Sequence, residues 1–283
     1  MNNGIDTADK ALYSIDQGLA TFGEGAIKIV EQLDSIFLKL AREVNAEYNV
    51  YPPLMKVQEL ARLDYFKNFP HLGLTVSQLS PESCDCFTND TSVDAIQSEY
   101  HLDSHYMLPS AACYNIYLNM QGQVLPQTKY VTTIARCYRN ENEYNELKRL
   151  WSFQMREIVC IGSTKDVQTH LKQHKTKILS LAKQLGLQIE IQVATDPFYD
   201  KDGSKALLQR LDPVKEEFVY GGSVSIASVN YHRNFFGERC NIKDSSGNSV
   251  FSGCVAFGIE RWLHALLEAY DQNIDVILEK LKL

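Results

Sequence analysis

Two arginine-bearing segments far apart in the chain constrain its fold more than any other feature. The first, residues 135–162, reads ARCYRNE, a polar stretch, and then RLWSFQMREIVCIG. Strand-like residues 130–139 end in Tyr-Arg-Asn-Glu, and a second apolar run carries Phe153-x-x-x-Glu157. This pattern predicts a β-hairpin with Arg139 and Glu141 at its rim. The second segment, residues 253–266, reads GCVAFGIERWLHAL. Gly258-Ile-Glu-Arg261 opens a run of helical period there, which sets Arg261 near a helix start. A hairpin bearing an arginine, a carboxylate and an aromatic, joined by a helix-borne arginine, has what is needed to grip the phosphates and base of ATP.

The rest of the chain reads as alternating helices and strands. Ile27, Val30, Leu33, Phe37, Leu40, Ala41 and Val44 keep a helical spacing, which predicts one amphipathic helix over 24–48 behind a polar, frayed tail. Pro52 and Pro53 interrupt the pattern before a further helix over 57–68. A helix over 165–185, capped by Ser163 or Thr164 and stopped at Gly186, precedes strands at 187–194 and 218–230 and a last helix over 260–270. Strands gathered around a hairpin, with helices at the ends, imply an α+β fold with an antiparallel sheet flanked by helices. The expected division is a tail and helix in residues 1–50, then one large domain over 51–283 with an inserted helix at 164–185.

Composition narrows the function. A net charge of −7 disfavours a protein that binds nucleic acid through an overall basic surface. No apolar run approaches bilayer length and the first residues lack a secretory pattern, so a soluble cytoplasmic chain without membrane contact is expected. The seven cysteines, at 84, 86, 113, 137, 160, 240 and 254, form no CxxC pair, which suggests reduced thiols, a few of them available to a metal. Cys84 and Cys86 read as a loop feature, and Cys137, Cys160 and Cys240 as core or strand-flanking residues.

The arginine segments resemble motifs 2 and 3 of the class II aminoacyl-tRNA synthetases. Four more segments, starting at Tyr51 (YPPLMKVQELARLDYFKNFPHLGLTV), Leu108 (LPSAACYNIY), Ala194 (ATDPFYDKDG) and Ser228 (SVNYHRNFFG), look like the amino acid:[carrier protein] ligases. These ligases are similar to the catalytic core of zinc-dependent seryl-tRNA synthetases. The likeness spans residues 51–267, and several segments matching in order are more specific than any one alone. The resemblance implies a class II catalytic core in which the 57–68 region resembles motif 1, which usually builds a homodimer interface. It implies roles too: Arg139 binds the α-phosphate and holds the substrate carboxylate, Glu141 receives the adenine amine, and Phe153 stacks on the base. Arg261 covers the other face of the ring and the terminal phosphate, and Arg149 is a further phosphate contact. Arg139 and Arg261 are the expected catalytic pair, and Mg²⁺ accompanies the ATP. The strand before motif 3 reads SVSIASVN, whereas many class II enzymes carry an acidic metal ligand near Ser225; Ser228 and Asn230 stand there as neutral substitutes.

The same resemblance implies a zinc site. Cys113, Glu157 and Cys254 occupy the positions that hold the metal in the zinc-dependent relatives. Two thiolates and a carboxylate suit zinc and leave a position for a free α-amine. The substrate-binding set comprises Ser110, Ala112, Ser228 and Asn230, and the small residues of the 110–112 loop point to glycine, alanine or serine. His232 reads as a pocket wall rather than a general base.

The acceptor is read from the inserted helix. Lys165, Lys172, Lys175, Lys177 and Lys183, with His170 and His174, face only Asp166, and a stripe of Val167, Leu171, Ile178, Leu181 and Leu185 can pack inward. Related ligases dock their partner on an extra helix after motif 2, so Lys165, Lys172 and Lys175 are expected to meet an acidic phosphopantetheinylated carrier protein. Roughly fifty residues before the core leave room for little more than one helix, so a tRNA partner is not expected. Two alternatives stay open: a seryl-tRNA synthetase-like enzyme that charges tRNA, and a non-catalytic binding relative.

Overall fold

The computed structural model describes residues 12–88 and 92–283, so residues 1–11 of the expected tail lie outside the described residues. In chain order the elements that position the site are α1 (Glu24–Arg42), β1 (Glu47–Tyr48), α2 (Tyr114–Asn119), β2 (Lys129–Tyr138), β3 (Ser152–Gly162) and α3 (Thr164–Gln184). They continue with β4 (Ile189–Ala194), β5 (Lys215–Tyr220), β6 (Val224–Arg233), α4 (Phe235–Arg239), β7 (Phe251–Gly258), α5 (Ile259–Ala269) and α6 (Ile274–Lys280). A seven-stranded sheet runs in the order β4-β5-β6-β7-β3-β2-β1. All neighbours are antiparallel except the short edge strand β1, which pairs in parallel with β2. The fold is α+β, an antiparallel sheet flanked by helices, as expected.

Side-chain alternation gives the sheet two different faces. Ile158, Val255, Phe257 and Val229 point to a helix-covered core shared with α1, α3 and α5. Phe37 of α1 stacks on Phe257 with centroids 4.2 Å apart, and Trp262 of α5 is fully buried beside it. The predicted N-terminal helix is therefore part of the core. The opposite face carries Glu157, Cys254, Ser228 and Asn230, and is roofed by residues 63–72, residues 110–120 and α4.

Several boundaries differ from expectation for identifiable reasons. The first helix stops at Arg42, because Asn45 takes a left-handed φ of 53° and the Ala46 amide turns back to the Ala41 carbonyl, freeing β1 to pair. Residues ahead of α1 are not frayed where described: Tyr13–Asp16 and Leu19–Phe22 form a hairpin around Gln17 and Gly18, both at positive φ, and the Trp151 amide bonds to Gly18. The 57–68 helix is two short helices broken at Asp64, whose φ is 55°. The strand expected over 218–230 is two strands, because Gly221 and Gly222 both adopt positive φ and reverse the chain. The closing α6 lies beyond the last helix expected, over 260–270, and is capped by the Asn273 side chain.

The inserted helix α3 is capped by Ser163, whose Oγ accepts from the Asp166 amide, and Gly186 follows it at a φ of 67°. Its polar face is less free than its sequence implies. His170 and His174 are buried, with ring centroids 4.2 Å apart, rather than facing water. Helical spacing places them on the same stripe as Val167 and Ile178. His170 Nε2 donates to the Ile158 carbonyl and His174 Nδ1 to the His170 carbonyl, while each ring's other nitrogen has no partner. Lys175 and Lys177 are tied to Glu216 and Glu43. Lys165, Lys172 and Lys183 are the exposed ones.

The histidine pair makes a pH prediction. Burial, and then the neighbouring His174, pull the His170 pKa down to about 3, and burial lowers His174 as well. The unfolded chain therefore takes up protons first, and stability falls as pH drops from the ordinary histidine value towards 3. Urea midpoints should fall between pH 7.5 and pH 5 in the wild type and fall less in His170→Leu. Equal losses in both proteins would show that this pair does not set the acid sensitivity.

Candidate active site

The register of the sheet builds the site. Glu157 on β3, Ala256 on β7, Ser228 on β6 and Glu217 on β5 lie directly opposite one another in one row. Val159, Cys254, Asn230 and Lys215 form the next row on the same face. Cys113 comes from outside the sheet, at the residue preceding α2. The structure thus brings together residues as far apart in the chain as Cys113 and Cys254.

Cys113, Glu157 and Cys254 are all buried, and their ligand atoms lie within 4.8 Å of one another. Glu157 Oε1 accepts from the backbone amides of Ala112 and Cys113, each at 3.1 Å. Its other oxygen, Oε2, is buried without a hydrogen-bond partner. An orphaned carboxylate oxygen beside two sulfurs fits a cation, and the S, S, O donor set fits zinc. Burial pushes the Glu157 carboxyl up, and the Cys113 thiol rises well above its usual value, first through its hydrogen bond to Cys254 and then through burial. Asn230 Nδ2 donates to Cys254 Sγ at 3.3 Å and to Ser228 Oγ at 3.1 Å.

The cluster opens into a cavity of about 490 Å³ whose wall includes Ser110, Ala111, Arg139, Ser228 and Asn230. Ala111, not Ala112, lines this space; Ala112 is buried and its amide is held by Glu157. The alternation of a tight loop entering a helix makes that difference, which composition does not carry.

A second cavity of about 90 Å³ abuts the first, with Arg139, Met155, Lys215, Ser228 and Ala256 in both walls. Glu141, Arg149, Phe153 and Arg261 line it, so the hairpin and helix groups predicted to bind a nucleotide converge. Arg139 donates from Nε to the Ser110 carbonyl at 3.0 Å, and its guanidinium lies 5.1 Å from the Phe153 ring centre, so one face of that ring carries an arginine. Arg261 donates to the carbonyls of Lys148 and Ser225, each at 2.9 Å, which joins the hairpin loop to β6. Arg149 is exposed at the rim.

Two residues of this pocket escaped the sequence reading. Glu217 supplies a carboxylate in the wall where Ser225 has none, and it pairs with Lys215 at 3.0 Å. The alternation Lys215-x-Glu217 on a strand was the available signal. Glu260, buried at the start of α5, accepts the Gln154 amide through both oxygens at 2.9 and 2.8 Å and so pins the helix to the hairpin. Burial raises its pKa to about 7. Cys137, Cys160 and Cys240 are buried, as read, whereas Cys84 and Cys86, read as a loop feature, lie exposed on a 3-10 helix over Pro81–Phe87.

Residues 97–270 match the tRNA synthetase class II core domain (G, H, P, S and T). Two amino acid–[acyl-carrier-protein] ligases of Bradyrhizobium diazoefficiens are similar along most of both chains. Ligase 1 is 29% identical, with 94% of this chain and 85% of the relative covered, and ligase 2 is 30% identical, with 95% and 84% covered. The type-2 serine–tRNA ligase of Methanocaldococcus jannaschii is 26% identical over 86% of this chain but only 52% of its own length. Among solved structures, M. kandleri SerRS in complex with A. aeolicus tRNASec superposes with a TM-score of 0.80 at 24% identity, covering 94% of this chain and 57% of that one. The chain therefore spans little more than half of these tRNA ligases. With the core matched over residues 97–270 and this sheet and site beneath it, the chain belongs to the class II tRNA synthetase core family.

Proposed function

We propose that this protein is a ligase that activates a small amino acid with ATP as an aminoacyl adenylate and passes the aminoacyl group to the phosphopantetheine thiol of an acidic carrier protein. The observation that carries this reading is Arg139. It bonds to the Ser110 carbonyl of the cysteine-bearing loop and covers Phe153 of the nucleotide hairpin, so one cation spans both substrate pockets. The similarity to the two Bradyrhizobium ligases over most of their length supports the choice of acceptor.

In this scheme the amino acid's carboxylate oxygen attacks the α-phosphorus as the bond to pyrophosphate breaks. Arg139 holds that carboxylate against the phosphate, and Arg261, fixed by two backbone carbonyls, meets the charge on the leaving phosphates. Phe153 and Glu141 seat the base. Glu217 is the carboxylate that would hold Mg²⁺ with the phosphates. Cys113, Glu157 and Cys254 would hold Zn²⁺, which supplies a coordination position for the free α-amine. Ser110, Ala111, Ser228 and Asn230 surround the small substrate. In the second half-reaction the acceptor's sulfur attacks the carbonyl carbon and AMP leaves, forming a thioester. A homodimer in the cytoplasm completes the proposal; Tyr48, Val50 and Leu54, exposed beside the edge strand β1, offer apolar surface to a second copy. Residues 51–283 with α1 form the catalytic unit.

Pyrophosphate exchange across a panel of amino acids, then intact-mass measurement of a phosphopantetheinylated carrier protein beside a tRNA control, tests the function. Exchange with a small amino acid and a loaded carrier is the expected result. Aminoacylated tRNA with an unloaded carrier would favour the reading suggested by the serine–tRNA ligases, and no exchange with any amino acid would remove both.

Docking of the carrier is tested separately. Lys165→Glu with Lys172→Glu should reduce transfer about 10-fold at low salt while sparing adenylation, because exposed charges act mainly on encounter. Both side chains are exposed, whereas Lys175 is held by Glu216 and would report on that ion pair as well. Unchanged transfer would remove α3 as the docking helix.

A further inference from the structure

His232 adjoins the proposed metal cluster and has no part in the chemistry above. Its Nε2 lies 3.6 Å from Cys254 Sγ, and its Nδ1 lies 3.0 Å from the Tyr117 hydroxyl and 3.4 Å from Ser252 Oγ. The ring stands edge-on to Tyr117 and to Phe236, at 6.0 Å and 5.0 Å between centres, and those two rings stack on each other at 3.8 Å. Packing therefore fixes the imidazole plane, and both nitrogens have defined neighbours.

The tautomer follows from the chemistry of the sulfur. A cysteine that ligates a cation does so as a thiolate, which only accepts hydrogen bonds, so Nε2 must carry the proton. Nδ1 is then the acceptor, and the Tyr117 hydroxyl donates to it. Tyr117 is fully buried on α2, the helix that follows Cys113. The chain of bonds thus runs from the element that presents one cysteine to the strand that presents the other.

We infer that His232 is a positioning residue of the metal site, holding Cys254 Sγ by an Nε2–H donation whose direction is set by Tyr117. This inference rests on the zinc reading above. Asn230 supplies a second N–H to the same sulfur. Two donors fix the rotamer of Cys254 towards Cys113 and Glu157 and stabilise its negative charge. Outer hydrogen-bond partners of metal ligands characteristically change metal affinity by about 10- to 100-fold.

The test uses the full chain, stripped with a chelator and titrated with Zn²⁺ against a chromophoric competitor, with Co²⁺ titrated in parallel. His232→Phe should weaken zinc binding about 10- to 100-fold and shift the thiolate-to-cobalt charge-transfer band. His232→Gln places an amide N–H where Nε2 stood and should recover affinity to within about 3-fold of the wild type. Tyr117→Phe, which removes only the hydroxyl, should fall between the two and keeps the test decisive if His232→Phe does not fold. Wild-type affinity and band position in Tyr117→Phe and His232→Phe would overturn the inference, as would His232→Gln binding no better than His232→Phe. A wild-type protein that binds zinc while the variants match it overturns this inference alone; a wild-type protein that binds none overturns the zinc reading beneath it.

Discussion

Cys254→Ala and Cys113→Ala should each abolish amino-acid-dependent pyrophosphate exchange while leaving a folded protein. On the proposed zinc reading, each change removes one of three candidate ligand atoms that lie within 4.8 Å of one another, and the remaining sulfur and carboxylate would no longer hold an amine at a set distance from Arg139. Misplacing a reacting group by about 1 Å is enough to cost roughly 100-fold, so loss of the anchor should exceed that. Stability should change much less. Cysteine to alanine deletes one buried sulfur, the substitution leaves the backbone amides of residues 112 and 113 free to keep their bonds to Glu157, and a small cavity is its main cost. Circular dichroism and melting beside the exchange assay separate the two effects. Wild-type exchange in either variant would remove zinc from the mechanism and leave the cysteines as core packing.

Asp34→Ala should be among the most destabilising single changes in the chain, at about 3 kcal/mol or more. Arg156 of β3 is wholly buried on the helix side of the sheet, where its Nε and Nη2 donate to the Asp34 carboxylate of α1, the latter at 2.8 Å. Its remaining contacts are Thr132 Oγ1 at 3.1 Å and the face of Tyr48, 4.8 Å away. Removing the carboxylate leaves a guanidinium in the interior without its counter-charge, which is far costlier than the pair itself is favourable. Asp34 is 24% exposed, so water can reach one end of the pair and holds the expected loss to the lower part of the range. The double variant Asp34→Ala/Arg156→Met should recover most of the stability, because it takes away the buried charge as well. Denaturant midpoints measure this. A loss under about 1 kcal/mol in Asp34→Ala would show that the pair behaves as an exposed one. The result bears on function, since Arg156 and Glu157 are consecutive on β3 and point to opposite faces.

The legible part of this protein was local. Alternating and helical periods placed the β2–β3 hairpin and the cores of α1, α3 and α5, because those patterns reflect which side of one element meets the core. Breaks carried by left-handed residues other than glycine were not legible. Asn45 and Asp64 end or split helices through φ values of 53° and 55°, and neither residue type demands that conformation. Gly221-Gly222 was such a signal in plain view, and the apolar strands either side of it masked the turn. His170 and His174 were read as part of a solvated basic face, since a histidine on a lysine-rich helix gives no indication of whether its stripe or its charge will prevail.

The candidate site divides in the same way. Arg139, Glu141, Phe153 and Arg261 stand within short recognisable segments, so their types and offsets were enough to nominate them. The cluster of Cys113, Glu157 and Cys254 was nominated through resemblance, and Glu217, Glu260 and the His232–Tyr117 bond came only from the fold. What the chain determines by itself is the chemistry available and the period of each element. What only the tertiary structure decided is which of these groups share a row of the sheet. Register joins residues across strands without any fixed sequence spacing, and Glu217, Ser228, Ala256 and Glu157 became neighbours solely because their strands pair at those positions.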